Sequence, residues 1–159
     1  MELRGNDDPS EAPRQDPLPG PLGALESTVL DACAAREEWP AQVAAGINAG
    51  VDFVIDNASL IESWVAEISP NQLYSSYYGP MVARLTTLIR LRAPVDERLP
   101  ASTDEALVAG IIGLVGDLVR LRRLDRLAKL KPELVQLALL PYLGFAESQQ
   151  WANRSAEWT

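Results

Sequence analysis

The sequence predicts an all-α fold, a single helical domain of about six helices. From Leu25 onward, apolar residues recur at steps of three and four, which is the period of an amphipathic helix. Alternating runs rich in Val, Ile and Thr are absent, and so is an Asn-Gly hairpin signal, which argues against strands. With 159 residues and 47 % hydrophobic residues, the chain can bury one core of ordinary size.

The first 22 residues differ in composition from the rest of the chain. They contain five prolines and few large apolar residues, and residues 1–38 carry nine acidic and three basic side chains, a net charge of −6. Such a segment buries too little apolar surface to offset the entropy lost on ordering. We therefore expect residues 1–22 to form a disordered acidic tail, and residues 23–159 to form the helical domain.

The first half of the helical domain divides at prolines and polar residues. A short apolar stripe begins at Leu25, and Pro40 suits the first turn of a helix over about 41–57. Ser59, with a glutamate three residues later, has the capping-box spacing. It predicts the start of a short helix over about 60–68.

The next helix covers about 71–92, and Pro80 inside it should kink or locally break it. The proline-containing segment 93–102 is predicted to be a loop. The longest and most apolar helix then covers about 103–128. Its first turn carries two acidic residues and its end is basic, and both features complement the helix dipole.

The last strong helix is expected to begin at Pro132 and to cover about 132–142. Gly144 is a suitable C-terminal stop. Residues 145–159 are expected to add no more than a frayed turn that holds Trp151.

Several function classes are disfavoured by composition. The chain has no histidine, which removes the usual metal ligand and the usual acid or base at neutral pH. Cys33 is the single cysteine and is more simply a small core residue, so we predict no catalytic residue, metal site or cofactor. The net charge of −8 disfavours nucleic-acid binding. No segment has the pattern of a signal peptide or a membrane span, which predicts a cytoplasmic protein.

The helix predicted over 103–128 has two neighbouring apolar stripes, which indicates two packing partners. A central core helix in a monomer is one interpretation, and a subunit interface is the one we prefer. Its three interior glycines, each costing about 1 kcal/mol against alanine, suggest close backbone approach. The candidate interface residues are Leu107, Gly110, Ile111, Leu114, Leu118, Leu134, Leu137 and Pro141.

Five of the ten aromatic residues fall between positions 53 and 78. Tyr and Trp combine an apolar body with a polar tip, which suits the wall of a ligand pocket, although ordinary core packing is the alternative. Asn57 and Arg84 are candidate polar anchors. The candidate ligand-binding residues are Phe53, Asn57, Trp64, Tyr74, Tyr77, Tyr78, Met81 and Arg84.

The order and spacing of three segments resemble a known family. The first is Glu38-Trp39-Pro40 with the helix that follows it; the others are 104–111, which reads Asp-Glu-Ala-Leu-Val-Ala-Gly-Ile, and 137–144, which reads Leu-Ala-Leu-Leu-Pro-Tyr-Leu-Gly. Together they make the chain from Leu25 to Gly144 resemble the C-terminal ligand-binding and dimerisation domain of TetR-family transcriptional regulators. The resemblance implies an effector pocket between the middle helices. It also implies that the last two long helices pair with a second copy as a four-helix bundle.

Members of that family carry an N-terminal helix-turn-helix domain, and none can be built from residues 1–24. We therefore expect a homodimer that senses a small apolar effector and does not itself bind DNA. The alternative is a helical dimeric interaction module that binds neither ligand nor DNA. A small enzyme on a helical scaffold is disfavoured by the missing histidines.

Overall fold

A computed structural model describes residues 16–94 and 99–158, and within these residues the chain is all-α, as predicted. No strand occurs among them, and the helices number six when the continuous run from Pro70 to Arg92 is counted as one. The elements are α1 (Pro21–Ala34), α2 (Trp39–Asp56), α3 (Ala58–Ala66), α4 (Pro70–Gln72), a π-helical turn (Leu73–Tyr78), α5 (Gly79–Arg92), α6 (Ala101–Arg120) and α7 (Leu124–Ser155).

The packed part of the chain begins before residue 23. Most of the expected tail, residues 1–15, lies outside the described residues. Of the remainder, Leu18 and Leu22 are buried and pack with Met81 of α5. These two leucines give the end of the acidic segment enough apolar area to join the core.

Helices α1 and α2 form an antiparallel pair. Gly46 of α2 lies against Val29 and Cys33 of α1, and Gly50, one turn later, lies against Val29 and Leu25. The contacts move back along α1 as α2 advances, which is the pattern of antiparallel helices. The other side of α2 packs against α7, so α2 lies between them.

The sequence predicted a kink or a local break at Pro80, and the helix does not break there, because it continues from Pro70 to Arg92. The irregularity lies one turn earlier, where the Gly79 N–H donates to the carbonyl of Tyr74, five residues back. A proline lacks an N–H and its ring crowds the carbonyl four residues before it. A π-helical turn widens the backbone at that place and accommodates the proline.

Helix α6 ends at Arg120, eight residues before the predicted end. The Arg122 N–H donates to the carbonyl of Val119 and the Arg123 N–H to that of Leu118, both within 2.9 Å. These two bonds form a Schellman motif, in which the first residue after the helix cap adopts a left-handed conformation. Arg122, with φ of 56°, takes that role in place of the usual glycine, so the sequence carried no stop signal.

Helix α7 extends well beyond the predicted 132–142. Pro132 lies inside it rather than at its start, and Gly144, with φ of 75°, marks a kink after which the helix continues to Ser155. The prediction of a frayed end is therefore wrong for residues 145–155. Trp151 is buried in the core there, and this tertiary contact outweighs the local stop signal of the glycine.

A buried polar cluster joins the last three helices. The Asp104 side chain, on a residue only 2 % exposed, accepts a hydrogen bond from Arg90 Nη1 of α5 at 2.6 Å and another from the Tyr142 hydroxyl of α7. The same Arg90 nitrogen also donates to the Leu99 carbonyl, at 2.6 Å. We call Asp104, Arg90 and Tyr142 the Asp104 cluster.

Trp39 extends this cluster to α2. Its ring packs edge-on against Tyr142 with a centroid distance of 4.8 Å, and its Nε1–H donates to the Ile89 carbonyl at 3.3 Å. Four helices therefore meet around one buried carboxylate. Removing that carboxylate leaves a guanidinium and a hydroxyl without their partner.

We expect Asp104→Ala to lower the free energy of unfolding by about 3 kcal/mol, the low end for a broken buried ion pair, because Arg90 retains some exposure. Urea denaturation measures this loss. Glu105→Ala, at the exposed neighbouring position, is the control and should change stability by no more than about 0.5 kcal/mol. Equal losses in the two variants would contradict this role for Asp104.

The Tyr142 hydroxyl should make stability fall at high pH. Burial first, and the adjacent Asp104 carboxylate second, raise its pKa above the usual value of about 10. The folded protein holds this proton more tightly than the unfolded chain, so the stabilisation is complete below about pH 10 and is lost progressively above it. In urea titrations from pH 7 to 11, Tyr142→Phe should be less stable than wild type at pH 7 and should lose less stability above pH 10. Parallel pH profiles would contradict this assignment.

Candidate functional site

A cavity of about 750 Å³ lies between α1, α2, α3, α5 and α6. Pockets for small molecules commonly measure about 300–1,000 Å³ and are mostly apolar. This cavity matches both criteria, since aliphatic and aromatic side chains form most of its wall.

Helix α2 supplies one side of the cavity through its apolar stripe. Val43, Ile47, Val51 and Val54 recur at three- and four-residue steps and line the cavity together. Trp39, at the start of the helix, lines its other end. The sequence predicted both this stripe and a mostly apolar cavity between the helices 41–57, 60–68, 71–92 and 103–128, but it did not assign these four aliphatic side chains to the wall.

Helix α1 lines the cavity beside α2 through Leu25, Val29 and Cys33. A Cβ built on Gly46 would lie 2.8 Å from the Cys33 Sγ atom, so only glycine permits this approach of the two helices. Sequence reasoning missed the α1 wall, because its short stripe carries none of the clustered aromatic residues on which the pocket prediction depended.

Helix α3 and the run into α5 contribute the aromatic side chains. Trp64 packs edge-on against Tyr77 with a centroid distance of 5.0 Å, and both line the cavity with Met81. The Tyr78 hydroxyl donates to the Ala109 carbonyl of α6 at 2.9 Å. This bond joins the π-helical turn to the opposite wall.

Helix α6 directs the second of its two predicted stripes into the cavity. That stripe consists of Val108, Ile112, Val115 and Val119. The expected close backbone approach at the α6 glycines does not occur within the chain. A Cβ at Gly110 or Gly116 would meet nothing within 4 Å, and one at Gly113 would meet only the Tyr78 hydroxyl, at 3.9 Å.

Four of the eight candidate ligand-binding residues line the cavity: Trp64, Tyr77, Tyr78 and Met81. The other four, Phe53, Asn57, Tyr74 and Arg84, are not part of its wall. Tyr74 is 69 % exposed and stacks on the outer side of Tyr78 at 5.6 Å.

The two expected polar anchors are bound elsewhere. The Asn57 side-chain amide donates to the Phe53 carbonyl at 2.8 Å, which satisfies the end of α2. Arg84 forms an ion pair with Glu26 of α1 at 3.0 Å and donates to the Asp16 carbonyl. Both were expected in the cavity on the basis of sequence proximity to aromatic residues, and both instead satisfy nearby backbone or carboxylate groups.

Polar side chains border the cavity at two ends. At the start of α2 these are Cys33, Gln42 and the exposed Arg92. The Gln42 amide donates to the carbonyls of Arg36 and Glu37, so its donors are occupied.

At the opposite end, near the end of α6, the ionisable lining residues are Glu62, Asp117, Arg120 and Arg122. Of these, Arg120 forms an ion pair with Asp117 at 2.9 Å. This end therefore carries two acidic and two basic side chains, and the charges of Arg120 and Asp117 neutralise each other.

The chemistry of the cavity favours binding over catalysis. Burial raises the pKa of the Cys33 thiol, and the Arg92 charge only partly opposes this, so the thiol stays protonated at neutral pH. Within the described residues, no cluster of acidic or cysteine side chains could hold a metal ion. None of the helices described is both long and apolar enough to cross a membrane.

The predicted interface residues divide between the surface and the core. Leu114 and Leu137 are 40 % and 43 % exposed, and a shallow groove of about 610 Å³ adjoins Leu107, Gly110 and Pro141. Ile111 is half-buried and packs against the core.

Two of the interface candidates are buried within the described chain. Leu118 and Leu134 are only 5 % and 2 % exposed, because they pack with Val51 and Val54 of α2. In the sequence their spacing continues the stripe of exposed leucines. In the fold they turn inward at the place where α6 and α7 meet α2.

No protein-family model matches this sequence, and comparisons with curated proteins and with solved structures give no significant match.

Two glycine substitutions should affect stability in opposite directions. We expect Gly46→Ala to destabilise the chain by about 1–3 kcal/mol, because the new methyl would collide with the Cys33 Sγ atom. Gly116→Ala meets open space inside a helix and should stabilise it by about 0.5–1 kcal/mol. Thermal unfolding of the two variants measures both effects. If Gly46→Ala were as stable as Gly116→Ala, α1 and α2 would not approach each other as closely as described.

Proposed function

We propose that this chain is the effector-sensing and dimerisation domain of a TetR-like transcriptional regulator, with a small apolar ligand bound between its helices. The observation that carries the proposal is the apolar cavity of about 750 Å³ between α1, α2, α3, α5 and α6. The all-helical fold and the sequence resemblance from Leu25 to Gly144 support it.

The cavity wall favours an apolar ligand. Water is retained in a cavity only where it finds about two to four polar partners, whereas an apolar cavity accepts an apolar molecule readily. Most of the wall offers no hydrogen-bond partner, and the protonated thiol of Cys33 already donates to the Gln42 carbonyl at 3.3 Å. Binding would therefore be driven by burial of hydrocarbon, about 0.8 kcal/mol for each methylene.

The second part of the proposal is a homodimer formed through α6 and α7. Leu107 and Gly110 of α6 lie beside Leu137 and Pro141 of α7. The exposed Leu114 continues the same face of α6, two turns after Leu107, and none of these residues is charged. A two-fold interface must complement itself, and an uncharged face can do so without placing like charges together. The open space above Gly110 allows a second helix to approach closely.

Helix α6 would connect the two parts. Val108 and Val115 line the cavity, whereas Leu107 and Leu114, one residue earlier in each case, lie on the outer face. A ligand that repositions α6 would thus change the surface offered to the partner. This is the coupling that an effector-sensing dimer requires.

Two points complete the assignment. A regulator of this kind would act in the cytoplasm, and DNA binding is not assigned to this acidic chain, whose net charge is −8.

The alternative function is a dimeric interaction module without a ligand, which the exposed α6–α7 face alone would support. Ligand binding distinguishes the two. We assign no enzymatic activity, because the cavity wall contains no activated nucleophile.

The neutral fluorophore N-phenyl-1-naphthylamine tests the cavity. We expect its fluorescence to rise on binding, and its presence at 100 times its dissociation constant to add about 2.7 kcal/mol of stability in thermal unfolding. Tyr77→Ala should weaken binding about tenfold or more, because it removes an aromatic wall residue. Tyr74→Ala, at an exposed position away from the cavity, is the matched control and should bind like wild type. Absence of binding to the wild-type chain would refute the ligand-sensing function.

Sedimentation velocity at micromolar concentration tests the dimer. We expect the wild-type chain to sediment as a dimer and Leu114→Glu to sediment as a monomer, because the substitution buries a carboxylate in each half of the interface. Leu60→Glu replaces an exposed leucine of α3, outside the proposed face, and should remain dimeric. A monomeric wild type, or a dimeric Leu114→Glu, would show that α6 and α7 do not form the interface.

A further inference from the structure

The cavity is a long slot rather than a rounded pocket. Its lining residues on α2 extend from Trp39 to Val54, and those on the π-helical turn and α5 extend from Tyr77 to Arg92. Each span covers 16 residues, and the 15 steps between its ends give about 22 Å at the rise of an α-helix. The two helical walls therefore border the same space over about four turns.

The cavity is also elongated. A volume of about 750 Å³ spread over about 22 Å makes it about two to three times longer than it is wide. An extended alkyl chain can lie along this length in van der Waals contact with the walls. This shape suits an elongated molecule better than a compact one.

The two ends of the slot differ in charge. One end of the slot lies near the start of α2. Among the described residues that line this end, only Arg92 of α5 is ionised, because the Cys33 thiol is protonated. At the far end, the acidic side chains of Glu62 and Asp117 balance Arg120 and Arg122. The anionic group of a ligand would therefore be attracted to the Arg92 end. The far end, where the charges balance, would neither attract nor repel it strongly.

We propose that the ligand is a single-chain anionic amphiphile of the long-chain fatty-acid class, with its tail along the slot and its carboxylate beside Arg92. This inference rests on the proposed ligand-sensing function. Arg92 is exposed, so the carboxylate keeps part of its hydration at the rim, and the tail supplies most of the affinity.

The tail length sets the first expectation. Each buried methylene should tighten binding about fourfold. An extended residue of a polypeptide has three backbone bonds and advances about 3.5 Å, which is about 1.2 Å per bond. An extended alkyl chain advances by a similar distance per bond, so about 18 bonds fill a slot of about 22 Å. Affinity should therefore rise steadily from octanoate to palmitate and level off near octadecanoate.

The head group sets the second expectation. Arg92→Ala should weaken palmitate binding up to about fivefold, the range of an exposed ion pair, and should leave hexadecan-1-ol unaffected. Arg126→Ala removes an exposed cation on α7 that does not line the slot, and it should change neither ligand. Arg122→Ala tests the opposite orientation and should likewise leave palmitate binding unchanged.

Displacement of N-phenyl-1-naphthylamine by saturated fatty acids of 8 to 20 carbons, below their micellar concentrations, measures these affinities. If the fluorophore binds but fatty acids do not displace it, or displace it without a chain-length trend, the fatty-acid proposal is overturned while the sensing function stands. If Arg122→Ala rather than Arg92→Ala weakens palmitate, or if hexadecan-1-ol responds equally to Arg92→Ala, the placement of the carboxylate is overturned. If neither N-phenyl-1-naphthylamine nor any fatty acid binds, the fatty-acid proposal and the ligand-sensing function are both refuted.

Discussion

The buried carboxylate of Asp104 is the constraint on which the arrangement of the helices depends. It fixes α6 to Arg90 of α5 and to Tyr142 of α7, and the ring of Trp39 extends the same contact to α2. A buried ion pair adds little net stability, because the attraction offsets the cost of removing both charges from water. Its effect is geometric, since any other relative position of these helices would leave a charge unpaired in the core.

That geometry helps to keep the cavity open. The Asp104 cluster holds α5 and α6 near the start of α2, and the glycine contact between Gly46 and Cys33 holds α1 against α2. Collapse of the slot would have to break these contacts to gain apolar burial. Leu18 and Leu22 pack against Met81, so the segment before α1 contributes to the enclosure as well.

The helical period predicted the fold class and the position of α2 because both depend on local spacing. It could not predict the end of α6, where Arg122 adopts a left-handed conformation that normally requires glycine. Nor could it predict the helix after Gly144, which Trp151 holds through tertiary contacts. The clustered aromatic residues predicted a pocket in this part of the chain, and Tyr77 lies on the wall of the cavity. It could not be located more closely, because its position depends on the angle between α1 and α2, which the spacing of residues within each helix does not specify.

Helix α6 has two apolar faces, and the constraints at its two ends determine how it can move. Near its start, the Asp104 cluster resists displacement because moving it would unpair a buried charge. At its end, the bond from Arg123 to the Leu118 carbonyl couples it to α7 through a three-residue turn. Leu118 and Val119 are also buried against α2, so both ends of α6 are held and its middle is the freer part. A ligand that widens the cavity beside Val115 would therefore shift Leu114 more than Leu107, since Leu114 lies between the two held ends. The proposed dimer contact around Leu114 is thus the part of the outer face most sensitive to occupancy of the cavity.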